Sequence, residues 1–222
     1  GHVLMPGEEF SFNDVVGDRS YEAGFRYAPG ITQGELVDVV GGGICQVSST
    51  LFGAAFFAGL EIVHARPHSR PSSYVDMGLD STVVYPTVDM KLKNPHPFPV
   101  VLHVAVSAGE IKVEVLGARR DFKVAFEREI VEVLPFTTLV RNDDRLRTGT
   151  RTVSQQGKRG FKVIRRRKVY GAGDDVRVDE WELRYPPTRE IVRVGTSPTG
   201  QVPEAKPTSA LRDPASELRI VQ

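Results

Sequence analysis

Three consecutive glycines and a single cysteine open the most strongly helical stretch of this chain. Residues 41–43 are all glycine, and Ile44 and Cys45 follow at once. Apolar residues then recur at steps of three and four, the spacing of one helical face; they are Ile44, Val47, Leu51, Ala55 and Ala58. Phenylalanines at 52, 56 and 57 make the other side apolar too. We therefore predict a helix that is buried nearly all round and is stopped by Gly59.

The position of Cys45 at the start of this helix bears on its chemistry. Unpaired N–H groups and the dipole at a helix N-terminus stabilise a thiolate relative to a thiol. The preceding glycines let the backbone turn tightly, which would leave the sulfur open to a ligand. Both features are typical of a cysteine nucleophile. The alternative is a small apolar residue packed in a tight turn, and the spacing leaves both interpretations open.

Composition narrows the class of protein. The 222 residues suffice for one large or two small domains with real cores. Lys and Arg number 29 against 28 Asp and Glu, so a net charge of +1 provides no global field for nucleic acid or a membrane surface. The chain has no apolar run of transmembrane length and no signal-peptide pattern at its start. A single cysteine rules out an internal disulfide and, in an exported protein, is a candidate reactive thiol.

Short strands and turns account for most of the remaining pattern. Strands are predicted on either side of the helix at 36–40 and 60–64, and again at 80–85 and 87–92. A hairpin is predicted from 99–106 and 111–116. The predicted first domain covers residues 1–120.

From residue 122 the chain changes to glycine-punctuated strands with almost no helical signal. Its basic run at 165–168 is predicted to be a solvated strand edge that its charge protects from aggregation. Nucleic-acid binding would need stacking aromatics or a wider basic face, and the sequence has neither. Residues 197–222 are aperiodic and proline-containing, which predicts a disordered tail or linker. The predicted second domain therefore covers residues 121–196.

A cysteine nucleophile needs a base within hydrogen-bond reach and a group that orients the base. His64 and His68 follow the helix closely enough for the chain to bring either back toward Cys45. His68, in a polar loop, is the favoured base, and capping that loop is its alternative role. Asp80 and Asp89, at the edges of following strands, are candidates to fix the imidazole tautomer. The order cysteine, histidine, acid is also that of transglutaminase-like thiol enzymes, an analogy at the level of fold.

Two other chemistries are less well supported. A metal site of His64, His68 and a carboxylate would need a helix that aligns the imidazoles, which Arg66 and Pro67 disfavour. The glycine triplet lacks the lysine and the spacing of a phosphate-binding loop, and no dinucleotide-binding glycine pattern follows a strand. We therefore expect no metal and no cofactor.

Motifs in both halves of the chain resemble known families. Residues from about 6 to 117 resemble the VanW family, named for an accessory protein of vancomycin-resistance clusters. The matching segments are 6–13, 16–17, 41–52, 68–69, 74–75, 78–83 and 89–94. Residues from about 125 to 196 resemble a G-five (G5) domain, a β-rich module of bacterial surface proteins. The matching positions there are 148–149, 157, 160, 169–171, 186–187 and 194–196.

These resemblances imply a bacterial cell-envelope protein, extracytoplasmic, that acts on or binds peptidoglycan or another wall glycan or peptide. Any targeting segment would then lie outside this sequence. The expected fold class is an α+β N-terminal domain with a buried central helix packed on a mixed or antiparallel sheet, followed by a small elongated all-β domain. The VanW resemblance does not itself imply a settled activity.

Two hypotheses about the site follow. In the first, the protein is a cysteine-dependent peptidoglycan amidase, peptidase or transpeptidase. Cys45 is its nucleophile and His68 its base, while Asp80 or Asp89 orients the histidine. Gln46 or the N–H groups at the helix start would stabilise an oxyanion. All five residues lie on motif positions of the VanW resemblance.

In the second hypothesis the protein is a non-enzymatic wall-binding or scaffold protein with a structural cysteine. The loops around His68 and Tyr74 would then recognise a wall fragment. The predicted binding residues are Gly42, Gly43, Ser69 and Tyr74.

Overall fold

The structure is a computed structural model that describes residues 1–32, 35–107, 109–171 and 175–202. Within these residues the chain is mostly β, with fourteen strands and two helices. The first ten elements are β1 His2–Leu4, β2 Glu9–Ser11, α1 Phe12–Val16, β3 Tyr27–Thr32, β4 Glu35–Val40, α2 Ile44–Phe57, β5 Glu61–His64, β6 Lys91–Lys93, β7 Val100–Ser107 and β8 Glu110–Leu116. The last six are β9 Lys123–Leu134, β10 Thr138–Arg147, β11 Arg151–Gln155, β12 Gly160–Tyr170, β13 Val176–Tyr185 and β14 Glu190–Ser197.

Two compact units divide the chain, and neither is one continuous stretch. The first comprises Gly1–Pro135 and Arg159–Pro187. The second comprises Phe136–Lys158 and the described residues of Thr188–Gln222. Strands β9, β12 and β13 thus belong to the first unit, together with every element that precedes β9.

Antiparallel pairing organises the first unit. Strand β7 lies between β1 and β8, β6 lies between β2 and β5, β12 lies between β9 and β13, and β3 pairs with β4. The predicted hairpin is confirmed as β7 and β8, which pair from Val101↔Leu116 to Ser107↔Glu110; residue 108 of its predicted turn lies outside the described residues. The strands predicted at 36–40 and 60–64 are confirmed as β4 and β5.

The second unit is a three-stranded sheet in which β14 lies in the middle. It pairs in parallel with β10 and antiparallel with β11. Ser197, the first residue of the predicted tail, is the last residue of β14. The part of that predicted tail at 203–222 lies outside the described residues.

Helix α2 confirms the helix predicted from the glycine–cysteine stretch. Its end follows from Gly59, whose φ of 74° is the left-handed conformation that glycine adopts without strain. The N–H groups of Gly59 and Leu60 donate to the carbonyls of Phe56 and Ala55, which closes the helix in a Schellman motif. None of the helices in the described residues is long and apolar enough to cross a membrane.

Helix α2 is buried on one face only, so the expectation of burial nearly all round is wrong. The buried residues are Ser48, Ser49, Leu51, Phe52, Ala55 and Phe56. Gln46 and Phe57, on the other face of the helix, are exposed and line a groove. The apolar core against the buried face also takes in Leu4 of β1, Leu92 of β6 and Val100 of β7. Each such buried side chain contributes about 1.5–3 kcal/mol through removal of apolar surface from water.

The basic run at 165–168 is not a solvated strand edge, because β12 is the central strand of its sheet. Arg165 and Arg167 are 3% and 2% exposed. The Arg165 guanidinium lies 4.2 Å from the Trp181 ring centroid, and the Arg167 guanidinium lies over Phe56 and donates to the carbonyl of Leu60 at 2.7 Å. Aromatic faces and carbonyls replace the water that these cations would otherwise need.

The strands predicted at 80–85 and 87–92 are wrong for most of their length. In this region the structure has an isolated bridge, Val84↔Val88, and the short strand β6. The carboxylates of Asp80 and Asp89 accept hydrogen bonds from backbone N–H groups of other segments, those of His68 and Asn13. The N–H groups of Ser81 and Thr82 donate to the Ser49 hydroxyl and the Arg66 carbonyl rather than to a neighbouring strand, which is why the alternating pattern failed here.

Candidate functional site

Two glycines fix the start of α2. Gly41 has a φ of 74°. A Cβ on Gly42 would lie 2.1 Å from the carbonyl oxygen of Ala28 in β3, so no larger residue fits. A Cβ on Gly43, the N-terminal cap residue, would meet open space. Gly42, predicted to bind a ligand, therefore packs against β3 and holds Cys45 in place.

Cys45 is the second residue of α2 and is partly buried. Its Sγ donates to the carbonyl of Val83 at 3.6 Å. The Oγ of Ser49, one turn along the helix, donates to the Cys45 carbonyl at 2.7 Å and accepts from the N–H of Ser81 at 3.0 Å. Ser48 Oγ donates to the Ser81 carbonyl at 2.6 Å. These bonds tie the segment after Asp80 to the first turns of α2.

His68 and Asp80 form a buried pair, and each is 4% exposed. Asp80 Oδ2 accepts the backbone N–H of His68 at 2.6 Å. The ring nitrogen Nδ1 lies 3.0 Å from the same oxygen, but its N–H direction is off the line between them. The contact is therefore an ion pair at short distance rather than a straight hydrogen bond.

Asp80 has further hydrogen-bond donors on its other oxygen. Oδ1 accepts the hydroxyl of Tyr185 at 2.5 Å and the N–H of Gly78 at 3.1 Å. Burial by itself raises the pKa of a carboxyl group, but the bonds from His68 and Tyr185 outweigh it and lower the pKa of Asp80. Asp80 is therefore a buried carboxylate that stays ionised.

The His68 ring adjoins Cys45 and Tyr74. The Tyr74 hydroxyl lies 3.2 Å from Nε2, and the two rings meet edge to face at 5.9 Å between centroids. Burial lowers the pKa of His68, but the Asp80 carboxylate and the neighbouring Cys45 sulfur raise it to about 9. His68 is therefore an imidazolium at neutral pH, a cation beside the thiol.

The structure brings together four of the predicted site residues: Cys45, His68, Tyr74 and Asp80. Asp89 is elsewhere: it accepts from Ser11 Oγ at 2.7 Å and from the N–H of Asn13 at 2.9 Å, so it holds the start of α1. Of the two acids proposed to orient the histidine, Asp80 is the one that lies beside it. Ser69 is exposed.

A groove of about 340 Å³ follows the open face of α2. Its helix side is formed by Gln46, Ser49, Thr50, Gly53, Ala54 and Phe57, and its other side by Tyr74, Val75, Leu79 and Val113. Tyr74 lines the groove and also contacts His68, whereas Cys45 and His68 themselves do not line it. Gln46 therefore lies at the groove, where it is exposed.

The predicted oxyanion donors at the helix start are partly occupied. The N–H groups of Ile44 and Gln46 donate to the carbonyls of Gly41 and Gly43, each at 3.0 Å. Those two groups are therefore not free for a ligand. The N–H of Cys45 lies between them.

Two residues of the site, Tyr185 and Arg19, were not predicted from the sequence. Tyr185 is 105 positions from Asp80 and carries no motif that links the two. Arg19 has Nε and Nη1 buried and without a hydrogen-bond partner, and it lies near enough to Cys45 and Asp89 for their charges to act on it. Its loop position offered no periodic signal.

The metal-ligating side chains do not form a cluster in the described residues. In the part of the chain that the structure describes, no three His, Cys, Asp or Glu side chains are grouped to hold a metal ion. His64 is exposed on β5, opposite Lys91 of β6, whereas His68 is buried.

The fold and site define a mostly β protein with a buried cysteine–histidine–aspartate cluster at the start of its main helix. By family, this chain belongs to the VanW-like proteins, whose model matches residues 1–116. A G5 domain model matches residues 127–197. Both resemblances predicted from the motifs are confirmed.

Two relatives match the N-terminal half. The uncharacterized protein YoaR of Bacillus subtilis (strain 168) is 46% identical over 110 residues, which cover 50% of this chain and 36% of YoaR. The vancomycin B-type resistance protein VanW of Enterococcus faecalis (strain ATCC 700802 / V583) is 29% identical over 99 residues, or 42% of this chain and 36% of VanW. The chain therefore spans little more than a third of either relative.

Solved structures that are similar to about a third of this chain include two G5 domains. The crystal structure of HP0197-G5 is 25% identical with a TM-score of 0.21, and it covers 34% of this chain and 100% of that one. The IgA1 protease G5 domain structure is 21% identical with a TM-score of 0.23, and it covers 36% of this chain and 99% of that one.

Proposed function

We propose that this protein is a cell-wall-associated protein of the bacterial envelope, outside the cytoplasm, and that it cleaves or transfers a peptide or amide bond of peptidoglycan through Cys45. Support for the setting is the combination of a VanW-like match with a G5 match in one chain. Support for the chemistry is local to the first unit.

A single observation carries the chemical part of the proposal: a buried His68 lies between the partly buried Cys45 thiol and the Asp80 carboxylate. Asp80 engages the Nδ1 side of the ring, which leaves Nε2 as the nitrogen that exchanges a proton with the sulfur. A thiol beside an imidazole held by an acid is the constellation of thiol acyl-transfer enzymes. A histidine that merely capped its loop would not need a buried carboxylate and a thiol at its ring.

The proposed reaction proceeds in two balanced steps. Because His68 is an imidazolium at neutral pH, the proton of the Cys45 thiol already resides on the ring, and the thiolate attacks the carbonyl carbon of the scissile amide. As the C–S bond forms and the C–N bond breaks, the leaving amine takes the proton from His68. The resulting thioester is then attacked by water, which yields a carboxylic acid, or by another amine, which yields a new amide. Either attack releases the thiol and restores the starting state.

The developing oxyanion would be stabilised by the N–H of Cys45. This group belongs to the first turn of α2, where the helix dipole favours negative charge. The N–H groups on either side of it already donate to glycine carbonyls. The side chain of Gln46, exposed at the groove, is a second candidate donor.

The groove along α2 is the proposed seat of the substrate chain. Its length from Gln46 to Phe57 suits an extended peptide better than a compact small molecule. Tyr74 at the groove contacts His68, and burial raises the pKa of Tyr74, so its hydroxyl remains a donor at neutral pH. A substrate carbonyl at Tyr74 would lie close to His68.

Alkylation of Cys45 by iodoacetamide tests the proposal. We expect alkylation at pH 7 to be faster than that of free cysteine, because an imidazolium and a helix start beside the sulfur favour the reactive thiolate. His68→Gln should slow the reaction to the rate of free cysteine, whereas His64→Gln, an exposed histidine nearby in sequence, is the matched control. A rate equal to that of free cysteine in the unmodified protein would refute a thiol-dependent site.

Product analysis then tests the reaction itself. Purified protein is incubated with peptidoglycan fragments that carry stem peptides, and products are identified by mass spectrometry. We expect new termini or exchanged amines with the unmodified protein and none with Cys45→Ser. A thioester trapped on the residue-45 peptide would identify the intermediate.

The alternative is a wall-binding or scaffold protein in which Cys45 is structural. One observation favours it: the thiol donates to the Val83 carbonyl and so already has a packing role. The two functions separate in a pull-down on peptidoglycan with Cys45→Ala. If that variant folds, binds as before and no product forms with either protein, the binding function is correct.

A further inference from the structure

Tyr185 is fully buried, and its hydroxyl is held between two groups of the Cys45 site. It donates to Asp80 Oδ1 at 2.5 Å and accepts the N–H of Gly78 at 2.7 Å. Tyr185 ends β13, which the G5 model matches, whereas Asp80 lies in the VanW-like segment. Both residues belong to the same compact unit.

A buried carboxylate stays ionised only where donors replace the water that it has lost. Asp80 Oδ2 is used by the backbone and ring of His68. Oδ1 therefore depends on Tyr185 and Gly78, and of these only Tyr185 offers a hydroxyl side chain. Without that hydroxyl, one lone-pair region of a buried anion loses its strongest partner.

We propose that Tyr185 is a positioning residue of the Cys45 site, whose hydroxyl orients the Asp80 carboxylate and keeps it ionised opposite His68. The G5-matched strand β13 thereby completes a site that the VanW-like segment does not complete by itself. The role in catalysis rests on the proposed function, but the effect of Tyr185 on the Asp80–His68 pair does not.

The surroundings of β12 support this assignment. The guanidinium of Arg165 donates to the carbonyl of Gly78 at 3.1 Å, so β12 holds the same turn that β13 holds through Tyr185. Its positive charge also stabilises the negative charge of the Asp80 carboxylate. Two neighbouring strands of one sheet thus converge on residues 78–80.

The charged and titratable groups around the pair set the direction of the expected effect. Asp80, Cys45 and Tyr74 face His68, while Tyr185 and Arg165 face Asp80. If the Tyr185 hydroxyl is removed, the Asp80 anion loses a donor and the protonated carboxyl group becomes relatively more stable. The pKa of Asp80 then rises, whereas the His68 midpoint does not fall, because Asp80 is still ionised where His68 titrates.

Tyr185→Phe tests this directly, since it removes one oxygen and preserves the ring. Gly78 N–H keeps its bond to Asp80, so the variant leaves no buried donor unpaired. The full chain is labelled with ¹³C-aspartate, and the Asp80 carboxyl signal is assigned by its loss in Asp80→Asn. A hydrogen bond to a charged group is worth about one to two pKa units, so we expect the Asp80 midpoint to rise by roughly one pH unit.

Tyr170→Phe is the matched control, because Tyr170 is an exposed tyrosine at the end of β12 in the same sheet. It should leave the Asp80 midpoint unchanged. A Tyr185→Phe midpoint equal to that of the unmodified protein overturns the proposal. A shift of the same size in Tyr170→Phe overturns it too, because the effect would then belong to the sheet in general.

If Tyr185→Phe does not fold, 3-fluorotyrosine placed at position 185 alone keeps the hydroxyl and makes it a stronger donor. The Asp80 midpoint should then fall, and an unmoved midpoint overturns the proposal. Neither titration requires turnover. A shifted midpoint in a protein that forms no product would refute the proposed function and leave the positioning role intact.

Discussion

Replacement of His68 by glutamine is the sharpest probe of the buried pair, because glutamine has similar size but no charge. The pKa of His68 is raised from 6.5 to about 9 in the folded protein. At about 1.4 kcal/mol for each tenfold change in proton affinity, this corresponds to about 3 kcal/mol of stabilisation. The histidine is largely buried, so little of this is lost to solvent screening.

The sign of the pH dependence follows from linkage. A group whose pKa is higher in the folded state contributes its full stabilisation below its unfolded pKa. For His68 the contribution is therefore complete below about pH 6.5 and is lost as pH rises through about 9. Titrations elsewhere in the chain occur in both proteins and cancel in the difference.

Urea unfolding of the unmodified protein and of His68→Gln, at about pH 6 and about pH 10, measures this contribution. We expect the difference in unfolding free energy between the two proteins to shrink by about 3 kcal/mol from the lower to the higher pH. His103→Gln, which removes an exposed histidine in β7, is the matched control. A difference that stays constant with pH, or that grows, would refute the ion pair as the source of the stabilisation.

Three further outcomes are expected. Gly42→Ala should destabilise the fold by at least about 3 kcal/mol in urea unfolding, since the added Cβ would lie 2.1 Å from a carbonyl oxygen. Gly43→Ala should be nearly neutral, because its Cβ would meet open space. Equal losses of stability in the two variants would contradict this. Ser49→Ala strips the buried Ser81 N–H of its acceptor and should cost about 1–3 kcal/mol; a neutral result would mean that the Ser49 bond is not formed. Asp89→Asn should lower the melting temperature yet leave the alkylation of Cys45 unchanged, because this acid accepts the Asn13 N–H at the start of α1. A changed alkylation rate would place Asp89 in the site.

Local signals were sufficient for the helix and for part of the site. The periodic apolar residues after the glycines, with Gly59 at the end, predicted α2, which runs Ile44–Phe57. The polar loop with His68 was predicted as the source of the base, and the structure lays its ring against Cys45. Both predictions depended on residues whose conformation is decided by near neighbours in the chain.

Predictions that depended on distant residues failed or stayed open. The alternation at 80–85 predicted a strand, but the N–H groups of Ser81 and Thr82 donate to the Ser49 hydroxyl and the Arg66 carbonyl instead of to a neighbouring strand. The basic run predicted a solvated edge, but the guanidinium groups of Arg165 and Arg167 pack on aromatic rings. Neither the aromatic partners nor these distant acceptors can be read from the local pattern.

Short contiguous motifs were sufficient to predict the family, the main helix, and Cys45 with His68 as its favoured partner. Packing in the tertiary structure placed Asp80, and not Asp89, beside His68. It also added Tyr185, which reaches Asp80 across 105 positions of chain. The physical reason is that the cost of burying a carboxylate is met by whichever donors the packing of strands brings near it, and sequence spacing does not encode that packing.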